Sequence, residues 1–151
     1  MRNEGVLDKS NIDDIISLSP IQEGILFDWL RDNQSDIYFE QICIEINIDL
    51  NIQFFEKTWD VLINNNEMLR TVFRWENIIH PVQIVLKEHK IPIYKHDLSN
   101  LEEHEKNKYF EDIKKQDIRI ELDIKNEPIR INLVKMSQCR YMMIISNHHI
   151  V

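Results

Sequence analysis

The sequence has few of the residues that interrupt or cross-link a polypeptide. Its 151 residues include only 2 glycines, 4 prolines and 2 cysteines. So few glycines and prolines predict closely spaced helices and strands with short connections. Cys43 and Cys139 lie far apart and form no CxxC unit, which argues against a zinc site and against a disulfide framework. We expect both cysteines to be buried free thiols.

Long apolar runs and an excess of basic residues are also missing. No stretch is long enough to cross a membrane, and the polar start MRNEGVLDKSNIDD does not resemble a signal peptide. Lys and Arg number 18 against 26 Asp and Glu, a formal net charge of −8. This balance argues against a nucleic-acid partner, because phosphates attract clusters of Lys and Arg. The length and composition therefore predict one cytoplasmic globular domain that binds neither nucleic acid nor membrane.

Two segments carry residues typical of a helix start. In SPIQEGILFDWL, Ser19 can cap a helix and Gln22 completes a capping box with it. Apolar residues then recur at helical spacing, and Gly24 within this helix predicts close packing of the backbone against a neighbour. Ser99 and Glu102 form a second capping box, which predicts the start of a charged helix.

Alternating apolar residues predict several strands. In QICIEINID, the isoleucines at 42, 44, 46 and 48 share one face, which we expect to be buried. LRTVFRW and PVQIVLKE predict two strands joined by a short turn, and IPIYKHDL predicts another extended segment. The mostly apolar YMMIISNHHIV is typical of a central strand. The predicted fold class is α/β, a two-layer sandwich in which helices flank a mixed sheet.

The last predicted strand ends on two adjacent histidines, His148 and His149. Neighbouring side chains of a strand point to opposite faces, so the two histidines cannot both bind one metal or both reach one substrate. The other four histidines have no ligand spacing such as HExxH, and we expect no metal site. Judged from the residues alone, both histidines could be structural, or one could face a cleft while the other packs inward.

Three stretches, in this order, resemble the motifs of condensation domains from nonribosomal peptide synthetases. Residues 18–27, LSPIQEGILF, resemble the first motif of that family, LSPMQEGMLF. Residues 65–73, NNEMLRTVF, resemble its second motif, RHExLRTxF, with Asn65 and Asn66 in place of the Arg and His. SNHHIV resembles the start of the third motif, HHxxxDG, whose Asp and Gly would follow Val151. The resemblance extends from about residue 12 to the end of the chain.

The resemblance implies a fold and a reaction. Residues 17–151 would form the N-terminal lobe of a fold similar to chloramphenicol acetyltransferase, with a catalytic tunnel between it and a missing C-terminal lobe. Residues 1–16 would be a lead-in, or a short communication segment that recognises an upstream synthetase subunit. In the family's reaction, the amine of an aminoacyl acceptor attacks an acyl or peptidyl donor thioester and forms an amide. Both substrates are carried on the phosphopantetheine of carrier proteins, and no cofactor is bound directly.

The resemblance also implies roles for three residues. His149 would be the catalytic histidine, and His148 and Arg70 would support the site. The matching arginine of the family pairs with the aspartate of HHxxxDG, so we expect Arg70 to lack this carboxylate partner and the lobe to be locally strained or rearranged there.

The lobe alone should be inactive and should self-associate through an exposed apolar surface. Two alternatives stay open. One is an epimerisation domain, which shares HHxxxDG, and the other is a non-catalytic lobe that only docks partner proteins.

Overall fold

The computed structural model describes residues 7–32 and 36–151, which form strands and helices of a mixed α/β fold. This confirms the predicted class. The strands are β1 (Ile12–Ser17), β2 (Phe39–Ile46), β3 (Thr71–Arg74), β4 (Val82–Leu86), β5 (Ile93–Asp97), β6 (Ile129–Ser137) and β7 (Arg140–His148). The α-helices are α1 (Pro20–Arg31), α2 (Ile52–Asn65) and α3 (Glu103–Arg119), and short 3-10 helices span Lys9–Asn11, Asp36–Tyr38 and Glu67–Arg70. Among the described residues, no helix is both long enough and apolar enough to cross a membrane.

The strands lie in two sheets, whereas we expected one. The smaller sheet is antiparallel in the order β1-β4-β3, and the larger has the order β2-β7-β6-β5. The larger sheet is mixed, as predicted, because β5 and β6 are parallel while the other pairs are antiparallel. β7 is a central strand of this sheet, which explains its apolar composition.

Helices cover both faces of the larger sheet, so this part of the chain has three layers rather than two. On one face, Ile63 of α2 packs in an apolar cluster with Ile131 and Leu133 of β6. On the other face, Asp117 of α3 bonds to Arg130 of β6. Because side chains alternate along β6, these contacts place α2 and α3 on opposite sides.

The predicted start of α1 is confirmed. The Ser19 side chain accepts from the Gln22 amide at 3.2 Å, and the Gln22 side chain accepts from the Ser19 amide at 2.9 Å. The close packing expected at Gly24 was wrong, because a Cβ atom built there would meet nothing within 4 Å.

The predicted start of α3 was also wrong. Its N-cap is Glu102, which forms a capping box with Glu105. The Ser99 amide instead donates to the carboxylate of Asp97 at 2.9 Å. Ser99 therefore belongs to a local turn that precedes the helix.

The isoleucines of β2 were expected to be buried, but two of them are exposed. Ile42 and Ile44 are 53% and 40% exposed, because β2 is an edge strand and the apolar cluster under α2 includes only Ile46 of these isoleucines.

Cys43 and Cys139 are free thiols, as predicted, but both are exposed rather than buried.

The folded lobe begins before residue 17. Residues 12–16, which we assigned to the lead-in, belong to β1 and pair with β4 from Ile12↔Leu86 to Ser17↔Val82. Residues 1–6 of the lead-in lie outside the described residues. Their role as a communication segment stays a prediction.

Candidate active site

A cleft of about 490 Å³ opens where the smaller sheet, the start of α1 and the end of β7 meet. Its lining includes Gln22 of α1, Phe73 of β3, Gln83 of β4 and His149. A larger cleft of about 650 Å³, lined by His89 among other residues, contains neither histidine of the His-His pair. The smaller cleft is therefore the candidate active site.

Gln22 joins the first sequence motif to the third. Its side-chain amide donates to the Ile150 carbonyl at 3.0 Å and to the side-chain oxygen of Gln83 at 3.3 Å. Ile150 itself is buried in a cluster with Leu26 and Phe73. One glutamine thus caps α1 and fixes the backbone directly after His149, a contact between distant segments that we did not predict.

His149 lines the cleft and is exposed to solvent. Its side chain is 58% exposed, and its backbone amide donates to the Tyr38 carbonyl at 2.8 Å. Its Nδ1 atom lies 2.9 Å from a carboxylate oxygen of Glu40, whose other oxygen accepts from Asn147 at 3.0 Å. The hydrogen bond from Asn147 is the main reason that the pKa of Glu40 lies below its usual value. Sequence reasoning missed Glu40, because only the pairing of β2 with β7 brings it here.

His148 is buried and is not among the residues that line the cleft. It is 4% exposed and lies between the rings of Trp29 and Tyr38, with centroid distances of 6.0 and 5.9 Å. Its Nδ1 accepts from the Ile150 amide at 3.2 Å, and its Nε2 has no hydrogen-bond partner among the described residues. Burial, with a smaller contribution from the neighbouring His149, lowers the pKa of His148 to about 4. His148 is therefore neutral at pH 7.

Arg70 has a carboxylate partner in Asp13 of β1, so the expectation of an unpaired arginine was wrong, while local strain or rearrangement at this position stays a prediction. Its guanidinium donates to Asp13 at 2.8 Å and to the Leu86 carbonyl at 2.6 Å. The Arg70 side chain is only 12% exposed, so Asp13 offsets a charge that would be costly to leave unpaired. Arg70 is not among the residues that line the cleft, although its neighbour Thr71 is. The structure thus brings the two histidines together and leaves Arg70 apart from them.

A buried polar cluster, centred on Asp117, lies beneath the end of β7. Asp117 accepts from Arg130 at 2.7 Å, from Gln41 at 2.9 Å, from Asn132 at 3.0 Å and from the hydroxyl of Ser146. These partners belong to β2, β6 and β7, so one carboxylate of α3 holds three adjacent strands. The Asp117 cluster therefore fixes β7 directly before its histidines.

The comparison with known families agrees with the three motifs. The family model described as "Condensation domain" matches residues 12–151. The chain belongs to the condensation domain family. The match begins at the first residue of β1, which supports a folded boundary near residue 12.

Synthases of peptide antibiotics are among the relatives of this condensation-domain chain. It is 35% identical over 146 residues to tyrocidine synthase 2 of Brevibacillus parabrevis, covering 96% of this chain and 4% of that protein. It is 32% identical over 143 residues to gramicidin S synthase 2 of Brevibacillus brevis, covering 94% of this chain and 3% of that protein. The chain therefore spans a small fraction of the relatives it matches.

Solved condensation domains share the fold. The first condensation domain of the CDA synthetase matches with a TM-score of 0.81 and 16% identity, over 93% of this chain and 36% of that chain. The condensation-domain fold that the motifs implied is confirmed, and the chain corresponds to about a third of that solved chain.

Proposed function

We propose that this chain is the part of a nonribosomal peptide synthetase condensation domain that carries the catalytic histidine, and that the complete domain forms amide bonds. The observation that supports this most directly is the position of His149. It ends the HH pair of the third motif, and it lines the cleft beside the first motif. The relatives' names, which include synthases of tyrocidine and gramicidin S, agree with this reaction.

The proposed substrates are an acyl or peptidyl donor and an aminoacyl acceptor, each held as a thioester on the phosphopantetheine of a carrier protein. The acceptor amine attacks the donor carbonyl and forms a C–N bond. The tetrahedral intermediate then collapses, the C–S bond breaks, and the donor carrier leaves as a thiolate. One proton leaves the nitrogen and ends on that thiolate.

His149 is proposed to orient the amine and to accept this proton before passing it on. An α-amino group has a pKa near 8, so about a tenth of it is already neutral at pH 7. Orientation and removal of the proton during collapse are therefore more important than deprotonation before attack. The reaction is assigned to the cytoplasm, with donor and acceptor carriers and an upstream synthetase subunit as partners.

Substitution of the two histidines in the complete synthetase tests the proposal. We expect His149→Ala to lower kcat of condensation by about 10²-fold or more, since a positioned proton acceptor contributes ~10²–10⁴-fold. His148→Asn should keep most of the activity per folded molecule, because His148 faces away from the cleft. The exposed His104 of α3 offers His104→Ala as a matched control. Full activity in folded His149→Ala protein would refute the proposal.

A docking lobe without catalysis is the second candidate, and exposed apolar side chains on α1 favour it. Phe27 and Leu30, three residues apart on α1, are both exposed, and such patches mark interaction surfaces. We expect the 151-residue chain alone to self-associate through this surface and to form no amide bonds. Light scattering and an assay with loaded carriers check these two expectations. A monodisperse monomer at high concentration would contradict the first, and condensed product would contradict the second.

A further inference from the structure

The glutamate beside His149 occupies a position that the pairing of β2 with β7 determines. Glu40 lies opposite Asn147 in this antiparallel pair. Directly opposite residues of a strand pair share a face, so Asn147 and Glu40 point to the same side, and the 2.9 Å contact with Glu40 places the His149 ring there as well. The backbone bond from the His149 amide to the Tyr38 carbonyl, 2.8 Å long, continues the pairing past the end of β7. Glu40 is thus held within reach of the His149 ring by main-chain contacts on both segments.

The protonation of these groups follows from their hydrogen bonds. Asn147 donates to one oxygen of Glu40, and this bond favours the ionised carboxylate. An ionised carboxylate can only accept hydrogen bonds. At the 2.9 Å contact, the hydrogen must therefore belong to Nδ1 of His149. A neutral imidazole carries one hydrogen, so Nε2 of His149 keeps a free lone pair.

We propose that Glu40 is a positioning residue that holds neutral His149 in its Nδ1–H tautomer, which leaves Nε2 as the atom that accepts the proton from the acceptor amine. This inference rests on the proposed function. His148 has the opposite tautomer, because its Nδ1 accepts from the Ile150 amide and its hydrogen must be on Nε2. The structure therefore assigns different tautomers to two adjacent histidines, and only His149 has a free acceptor nitrogen.

A double-mutant cycle in the full-length synthetase tests whether Glu40 acts through His149. We expect Glu40→Ala to lower kcat about tenfold, because a positioned proton acceptor contributes ~10²–10⁴-fold and Glu40 supplies only part of that positioning. The KM for the carrier-bound acceptor should stay unchanged. In the His149→Ala background, Glu40→Ala should cause no further loss. Glu45→Ala is the matched control, since Glu45 is a second exposed glutamate of β2 and pairs with Arg140 instead. Equal losses in both backgrounds, or no loss in either, would overturn the proposal.

Nitrogen-15 NMR of the histidine rings gives a second readout that does not depend on activity. With Glu40 present, the neutral His149 ring should carry its hydrogen on Nδ1, and Glu40→Ala should shift the population towards Nε2–H. An unchanged tautomer population in a folded Glu40→Ala variant would refute the role of Glu40. Full condensation activity of His149→Ala would instead refute the proposed function, whatever the tautomer, so the two failures can be told apart.

Discussion

The two faces of the larger sheet differ in the polarity of their buried side chains. The face under α2 is apolar, with Ile131, Leu133 and Met143 in one cluster. The face under α3 carries the buried Asp117 cluster. The two faces also differ in exposure where β7 ends. The apolar face ends in the exposed His149, whereas the polar face ends in the buried His148.

This contrast shows that the local surroundings of a histidine, and not the polarity of its sheet face, decide its exposure to solvent. His148 is covered by the rings of Trp29 and Tyr38, which remove it from water. His149 is 58% exposed and contacts the ionised Glu40. Two identical residues, adjacent in sequence, therefore differ in exposure and in hydrogen-bond partners, and only His149 lines the cleft.

Breaking the polar face should have the largest effect. Asp117→Ala leaves the Arg130 charge buried without a partner, and we expect a loss of about 3–5 kcal/mol in the free energy of unfolding. Glu111→Ala on the same helix removes only an exposed pair with Lys114 and should cost less than about 1 kcal/mol. Urea unfolding of both variants measures the difference, and similar losses would show that the Asp117 cluster is not what stabilises this face.

Breaking the apolar face should have a comparable but slightly smaller effect. Leu133→Ala removes a buried side chain from the cluster under α2, and such substitutions cost about 2–5 kcal/mol. Urea unfolding again provides the measurement. A loss below about 1 kcal/mol would mean that this face relaxes into the cavity or is less tightly packed than the structure shows.

His148 should couple the stability of the fold to pH. The pKa of His148 falls from 6.5 to about 4 on folding, so the unfolded chain binds this proton at a higher pH than the folded chain does. Stability is therefore complete above pH 6.5, and we expect about 3 kcal/mol to be lost between pH 7 and pH 4 through this one group.

The difference between wild type and His148→Asn isolates this contribution from the carboxylates that titrate in the same range. Urea unfolding at several pH values should give a flatter pH dependence for His148→Asn. His149→Ala should retain most of the wild-type slope, because burial is the main cause of the His148 shift. Equal slopes in wild type and His148→Asn would contradict the assignment.

The smallest effect should come from the ion pairs at the exposed edge. Arg140 bonds to Glu45 at 3.0 Å and to Glu103 at 2.9 Å, but all three side chains are well exposed. Arg140→Ala should therefore cost at most about 1 kcal/mol, and the cost should shrink in high salt. A loss as large as that of Asp117→Ala would remove the distinction between buried and exposed pairs.

Some features that depend on neighbouring residues could be predicted from the sequence, although the capping box assigned to Ser99 and Glu102 was wrong. The capping box of Ser19 and Gln22 spans three positions, and the central position of β7 follows from its own apolar run. The partners of the site residues could not be predicted, because they come from distant segments. Asp13 is 57 residues from Arg70, and Glu40 is 109 residues from His149.

Exposure was hard to predict for the same reason. The alternation in β2 correctly indicated a strand, but a strand pattern does not reveal whether the strand lies at the centre or the edge of a sheet. Ile42 and Ile44 are exposed because β2 lies at the edge of the sheet, where the apolar cluster under α2 includes only Ile46 of these isoleucines.

The pairing of β2 with β7 has a consequence for the order in which the chain can fold. Ile46 pairs with Tyr141, so β2 emerges from the ribosome long before its partner exists. At ~5–20 residues per second, a delay of about 100 residues lasts roughly 5–20 s. During that time the backbone N–H and C=O groups on both edges of this isoleucine-rich segment lack strand partners. Unpaired strand edges favour misassembly and chaperone binding. The contact between Glu40 and His149 can form only after residue 149 has been synthesised.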